Sequence, residues 1–217
     1  MSTAKDTRLA QFAAADLYVV TCAPLSRGRS NEEVLEAVIA GGGRIIQLRD
    51  KDCTPREFYA MARRFRTVTR AAGVLLIIND FLDVALALDA DGVHLGQDDL
   101  PLDAARRIAP EMIIGRSTHS LQQALEAQDG GADYVNIGPI FPTGTKEHAA
   151  TLGPDAIRTI APHVRIPFTV MGGITLANID LVVTAGARRI AVVTAVTQAD
   201  DMAGAVRALR ARIPKTA

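Results

Sequence analysis

Arg49, Lys51 and Lys146 are three fixed positive charges, each in a polar segment that follows a short apolar run. Asp80 and Asp99 are two carboxylates placed in the same way. Hard oxygen ligands without cysteines or a histidine pair suit Mg²⁺, which keeps several waters and completes its shell with substrate phosphates. Three cations beside such a metal site imply an anion of pyrophosphate size. The segment Gly138-Pro139-Ile140-Phe141-Pro142-Thr143-Gly144-Thr145-Lys146 adds to this inventory. Its glycines and prolines interrupt any strand ladder. Two threonine hydroxyls, N–H groups beside glycines and one ammonium make it rich in donors. An anion is the natural ligand of such a loop; a plain surface turn is the competing reading.

The elements that must position these residues repeat along the chain as a short apolar run, a polar loop, an amphipathic helix and a glycine. Strands are expected at residues 17–21, 44–47, 75–79, 92–95, 113–117, 134–137, 167–171 and 189–193. Each is apolar over most of its length, as strands buried on both faces are. Helix starts are marked by Ser30 with Glu33, and by Thr54 with Pro55 and Glu57. The helix after Thr54 is expected to bury Phe58, Met61, Phe65 and Val68, and the last helix Met202, Val206, Leu209 and Ile213. Gly41, Gly73, Gly130 and Gly186 stand where left-handed C-caps would end helices. The crossover at residues 80–91 is the shortest, close to the minimum that holds a helix. Eight such units predict an α/β fold: a (β/α)8 TIM barrel in a single domain over residues 1–217, with 1–15 an N-terminal extension or helix. An open doubly wound sheet is the alternative.

Composition narrows the function classes. With 217 residues and 48% apolar content the chain can bury one substantial core. Its 24 basic residues balance 24 acidic ones, so no global field favours nucleic acid or an anionic membrane. Any anion site must be built locally. The longest apolar runs, such as Val74-Leu75-Leu76-Ile77-Ile78, are too short to span a bilayer, and the first residues carry no secretory pattern. Cys22 and Cys53 are isolated and fit a reduced, cytoplasmic setting. Neither a nucleic acid nor a membrane is expected as a partner, while a homo-oligomer stays open.

In a barrel of this kind chemistry belongs to the C-terminal ends of the strands, and that is where the polar residues fall. Gln47-Leu48-Arg49-Asp50-Lys51 follows the second strand, Asn79-Asp80 the third, and Gln97-Asp98-Asp99 the fourth. Ser117-Thr118-His119-Ser120 follows the fifth, Gly172-Gly173-Ile174 the seventh and Val193-Thr194 the eighth. The last two sites lie where barrels commonly hold a phosphomonoester. Two phosphate-bearing ligands side by side imply transfer between them. Simpler roles compete at single positions: Asn79 as a turn residue, Asp98 as the start of a crossover, His94 packed at the barrel mouth, His119 orienting loops, and Gly172-Gly173 as a tight connection.

Together Gln47-Leu48-Arg49-Asp50-Lys51, Asn79-Asp80, Gly92-Val93-His94-Leu95-Gly96-Gln97-Asp98-Asp99, the 138–146 loop and Gly172-Gly173-Ile174 resemble the thiamine-phosphate synthase family. The resemblance implies a Mg²⁺-using barrel enzyme that joins two small phosphorylated substrates. These are a hydroxymethylpyrimidine diphosphate and a hydroxyethylthiazole phosphate, and the products are thiamine phosphate and pyrophosphate. It further implies that Gln47, Leu48, Arg49, Asp50, Lys51, Asn79, Ser117 and Lys146 hold the pyrimidine diphosphate. Arg49, Lys51, Ser117 and Lys146 would be the catalytic set, and Asp80 and Asp99 the metal ligands. Thr143, Gly144, Thr145, Gly173, Val193 and Thr194 would hold the thiazole phosphate, with Thr194 standing where serine is common. The segment Gly115-Arg116-Ser117-Thr118-His119-Ser120 also resembles the related thiazole tautomerases, which tend to lack the Asn-Asp pair, the Gln-Asp-Asp end of the fourth strand and the Thr-x-Thr-Lys loop. A non-catalytic phosphate-binding barrel is a third reading.

Overall fold

The structure is a computed structural model that describes residues 3–144 and 150–215. Eight parallel strands pair in sequence order and close on themselves: β1 (Leu17–Val20), β2 (Ile45–Leu48), β3 (Leu75–Asn79), β4 (Gly92–Leu95), β5 (Ile113–Thr118), β6 (Tyr134–Ile137), β7 (Phe168–Val170) and β8 (Ile190–Val192). The β1–β8 pairing, with Tyr18 opposite Ala191, seals the barrel and excludes the open sheet.

Between the strands run α2 (Asn31–Ala40), α3 (Pro55–Ala72), α4 (Leu82–Ala87), α5 (Leu102–Ile108), α6 (Leu121–Asp129), α7 (Asp155–Ile160) and α8 (Ile179–Thr184); a short α9 (Thr194–Thr197) and α10 (Met202–Arg212) follow β8. Each helix covers the outward face of the strands. Alternation along every strand therefore divides the apolar residues into two cores. Val19, Ile46, Leu48, Leu76, Ile78, Val93 and Ile137 face the helices, while Tyr18, Ile45, Ile77, Ile113, Tyr134 and Ala191 fill the barrel.

Local signals act as their chemistry requires. Ser30 and Thr54 each close a reciprocal capping box, with Glu33 and Glu57. The helix caps differ from expectation at two of the four glycines. Gly73 is left-handed, at φ 66°, and Gly186 has φ 111°, but Gly41 and Gly130 keep right-handed φ of −79° and −76°. There the next glycine reverses the chain instead, Gly42 at φ 77° and Gly131 at φ 90°. In a Gly-Gly pair either residue can take that conformation, and the hydrogen bonds of the last turn decide which. On α3 the buried face is Phe58, Ala62, Phe65 and Thr69, and Val68 is 40% exposed. These four positions, spaced four, three and four apart, form one face of the helix, and Val68 falls one position off it.

Before β1 stands α1 (Ala4–Ala13), which closes the N-terminal end of the barrel. A third capping box, between Thr3 and Asp6, starts it. Phe12 is 1% exposed and packs its ring 4.4 Å from that of Tyr134, inside the barrel. Burying one such side chain contributes about 1.5–3 kcal/mol. Arg189 clamps the end of α1 by donating to Ala13 O at 2.7 Å. Residues 3–15 are thus the floor of the barrel.

Candidate active site

The C-terminal ends of the strands open into a cavity of about 270 Å³, near the lower end of the usual range for small-molecule sites, roughly 300–1,000 Å³. Inward-facing residues of the last strand layer line it: Tyr18, Gln47, Asn79, His94, Ser117, Asn136 and Thr169. The loops above add Arg49, Lys51, Asp80, Asp99, Thr143, Gly173, Val193 and Thr194. Three other positions singled out in the sequence are not in the lining. Leu48 is wholly buried among the helix-facing apolar residues, because it is out of phase with Gln47 on β2. Asp50 turns away from the cavity to accept from Asn31 Nδ2 at 2.9 Å and from Asp52 N–H at 3.1 Å, tying the β2 loop to α2. Gly144 follows Thr143 on the loop, and a Cβ there would meet nothing within 4 Å among the described residues. Thr145 and Lys146 fall outside the described residues.

The cationic side of the cavity is held from β1. Thr21, fully buried, accepts from Arg49 N–H at 2.9 Å and donates to Arg49 O at 3.0 Å. This pins the backbone from which the guanidinium extends. Lys51 Nζ lies 3.1 Å from Asp80 Oδ2. Asp80 itself has φ 63°, unusual for a residue other than glycine, and its N–H donates to His94 O at 2.9 Å. The β3–β4 ladder thus continues one residue past the strand and then turns the carboxylate over the mouth. Strained positions of this kind gather at functional sites.

The Asp80 and Asp99 carboxyls interact directly. Burial pushes the Asp80 carboxyl up, and the adjacent Asp99 adds to the rise. Burial opposes the charge on Asp99 as well, but the Asp80 carboxyl and the Gly96 N–H, 2.5 Å from Oδ2, hold it below the usual carboxylate range. Asp80 therefore takes up a proton more readily than Asp99 does, and a cation between the two would compete with that proton. Among the described residues no group of three or more His, Cys, Asp or Glu side chains converges. A cation here would therefore take two protein carboxylates and complete its shell from water and a bound anion. That is the ligand set Mg²⁺ accepts.

Opposite this pair lies a surface of backbone donors. Gly172 and Gly173 have φ of 109° and 60°. A Cβ on Gly173 would come within 2.3 Å of Pro142 O, so the β6 loop packs directly on this turn. Ile140 N–H to Met171 O at 2.9 Å and Phe141 N–H to Gly172 O at 3.0 Å fasten the two together. The N–H groups of Gly173, Ile174, Val193 and Thr194 make no hydrogen bond among the described residues, which leaves them for a ligand.

Sequence reasoning missed the layer beneath. His94 lies between Tyr134 OH and Ser117 Oγ, each at 2.9 Å, rather than simply packing at the mouth. Arg116 donates to Gln97 O at 3.2 Å and so braces the loop that carries Asp99. His119 sits at the rim with Nδ1 on Gly138 O, and its N–H donates to Gln123 Oε1 at 2.7 Å. The one signal for the hidden layer was Gly115: a Cβ there would meet the Tyr134 ring at 2.0 Å, so that glycine marks a bulky neighbour.

Comparison with known proteins agrees along the chain. The profile of the family described as thiamine monophosphate synthase matches residues 17–196. The thiamine-phosphate synthase of Chloroflexus aurantiacus is 52% identical over 201 residues, covering 92% of this chain and 93% of that protein. That of Haloarcula marismortui is 44% identical over 203 residues, covering 91% and 96%. Among solved structures, the thiamine phosphate pyrophosphorylase of Pyrococcus furiosus superposes with a TM-score of 0.86 at 40% identity, covering 92% of this chain and 95% of that one.

Proposed function

The chain belongs to the thiamine monophosphate synthase family, and from that premise we propose how its pocket makes thiamine phosphate. The reaction joins 4-amino-2-methyl-5-hydroxymethylpyrimidine diphosphate to 4-methyl-5-(2-hydroxyethyl)thiazole phosphate and releases pyrophosphate. The observation that carries the reading is that one cavity has Arg49 and Lys51 with the Asp80–Asp99 pair in its lining, together with the unbonded N–H groups of Gly173 and Val193–Thr194.

In this reading Asp80 and Asp99 hold Mg²⁺, which when bound neutralises charge on the diphosphate. The protein residues do the rest. Arg49 and Lys51 draw the diphosphate to the β2–β3 side, Lys146 is assigned to the same anion by the family pattern, and Asn79 and Ser117 add neutral donors. Gln47, 4% exposed and facing the cavity, meets the pyrimidine. Thr143 and Thr145 with the free N–H groups bind the thiazole phosphate. The carbon–oxygen bond to the diphosphate breaks with its electron pair leaving on pyrophosphate, and the amino-substituted pyrimidine spreads the positive charge. The thiazole nitrogen lone pair then forms the new carbon–nitrogen bond. No proton has to move, so no poised general base is required, and catalysis rests on charge stabilisation and alignment. No helix among the described residues is long and apolar enough to cross a membrane. A cytoplasmic setting completes the reading, supported by the free thiols of Cys22 and Cys53.

The test is to incubate purified protein with both substrates, with and without Mg²⁺, and assay thiamine phosphate and pyrophosphate together. Equal yields of the two, dependent on Mg²⁺, are expected. Absence of both products under all conditions would overturn the reading.

A further inference from the structure

Inside the barrel, below the ligands, one chain of hydrogen bonds links Gln47 to Ser117. Gln47 Nε2 donates to Tyr18 OH at 2.8 Å. Tyr18 OH and Tyr134 OH are 3.1 Å apart. Tyr134 OH is 2.9 Å from His94 Nδ1, and His94 Nε2 is 2.9 Å from Ser117 Oγ. Tyr134 and His94 also stack, with ring centroids 5.5 Å apart. The coupling reaction as described uses only the two ends of this chain.

Each phenol owns one proton, and that restricts the arrangement. Burial pushes both tyrosine hydroxyls up, so each keeps its proton. Since Tyr18 accepts from Gln47, its own proton goes to Tyr134. Tyr134 then has its proton left for His94 Nδ1. An imidazole that accepts at Nδ1 carries its hydrogen on Nε2 and donates it to Ser117 Oγ. The hydroxyl of Ser117 is left to donate into the cavity. The opposite direction would end with Ser117 donating to His94 and its lone pairs facing the diphosphate, a repulsive contact in a site built for anions.

We propose that this chain runs one way, from Gln47 to Ser117, and that Tyr134 and His94 are positioning residues that hold the Ser117 hydroxyl as a donor toward the pyrimidine diphosphate. The proposal rests on the coupling reading for the identity of that ligand. It assigns the Nε2–H tautomer to His94, and it leaves Gln47 Oε1 as an acceptor on the pyrimidine side of the pocket.

Two measurements test it. Nitrogen-15 NMR of histidine-labelled protein, with the His94 signals identified by their loss in His94→Gln, reads the tautomer without any turnover. A protonated Nε2 and an accepting Nδ1 are expected; a hydrogen on Nδ1 overturns the proposal even in an enzyme that couples both substrates. If the coupling reading itself failed, the tautomer would still be read. The second measurement is a double-mutant cycle. Tyr134→Phe keeps the ring packed on Phe12 and removes only the hydroxyl, so kcat should fall about three- to tenfold, the loss of one oriented hydrogen bond, with KM for the thiazole phosphate unchanged. In a Ser117→Ala background the same change should cost nothing further. An equal loss in both backgrounds means that Tyr134 acts through packing alone, and the proposal is wrong. His94→Gln, which keeps a donor at the end of its side chain, should retain more activity than His94→Leu; equal loss counts against the chain. Should Tyr134→Phe not fold, Tyr18→Phe, one link further back, carries the same test of non-additivity.

Discussion

At the floor of the barrel Asp91 and Asp133, each just ahead of a strand, are enclosed by cations. Arg66 and Arg8 lie 2.8 and 3.3 Å from Asp91, Lys5 lies 2.8 Å from Asp133, and Arg106 pairs with Asp133 too. Both carboxylates also cap strand edges, accepting from Leu76 N–H at 2.9 Å and Ile114 N–H at 2.8 Å. At the mouth Asp80 and Asp99, each just behind a strand, face one another with Lys51 as the ammonium beside them. The same residue type thus has opposite consequences at opposite strand ends. Charges at the floor satisfy one another and hold α1 in place. Those at the mouth are left in a state that a cation and an anion would complete. Stability and activity should therefore separate by barrel end.

The largest effect should come from Asp80 and Asp99, the proposed metal pair. Chelation is expected to abolish coupling, and Asp80→Ala to reproduce that loss while leaving the fold intact by circular dichroism; full activity of Asp80→Ala in chelator would end the assignment. Protonation provides a graded version. In the proposed metal site Mg²⁺ competes with protons for the two carboxylates, and the Asp80 carboxyl is raised by burial and by Asp99. Apparent Mg²⁺ affinity should therefore weaken as pH falls through that raised value and level off above it, which titration of the activation curve across pH would show.

Next comes the floor. Phe12→Ala empties the base of the barrel and should lower stability by about 3–5 kcal/mol, while kcat at a temperature where the variant is folded stays close to the parent. A large kcat loss with little change in denaturant midpoint would reverse the comparison. Lys146→Ala, in the proposed diphosphate-binding set, should lower kcat about 10²–10³-fold, the loss of one charge-stabilising donor, with an unchanged melting temperature; a drop under about threefold would place this lysine outside the chemistry.

The smallest effect is expected at His119, whose ring is bound to Gly138 O and whose N–H is bound to Gln123. His119→Asn should keep coupling within about tenfold, or about 1.4 kcal/mol in the barrier. An inactive His119→Asn beside an active Asp99→Ala would instead point to acid–base isomerisation of the kind the related tautomerases perform.

Local chemistry in the sequence by itself determined the eight strands, the capping boxes at Ser30 and Thr54, and the positions of Arg49, Lys51, Asn79, Asp80 and Asp99 at strand ends. Those features depend on residues a few positions apart. Only the tertiary structure decided which face each strand residue takes. Strands that are apolar on both sides carry no readable alternation, so nothing in the 45–51 segment marks Gln47 as inward, Leu48 as outward, or Asp50 as a tie to α2. The Tyr18–Tyr134–His94–Ser117 chain was equally hidden. It joins residues from β1, β4, β5 and β6, and only closure of the barrel brings them within hydrogen-bond distance.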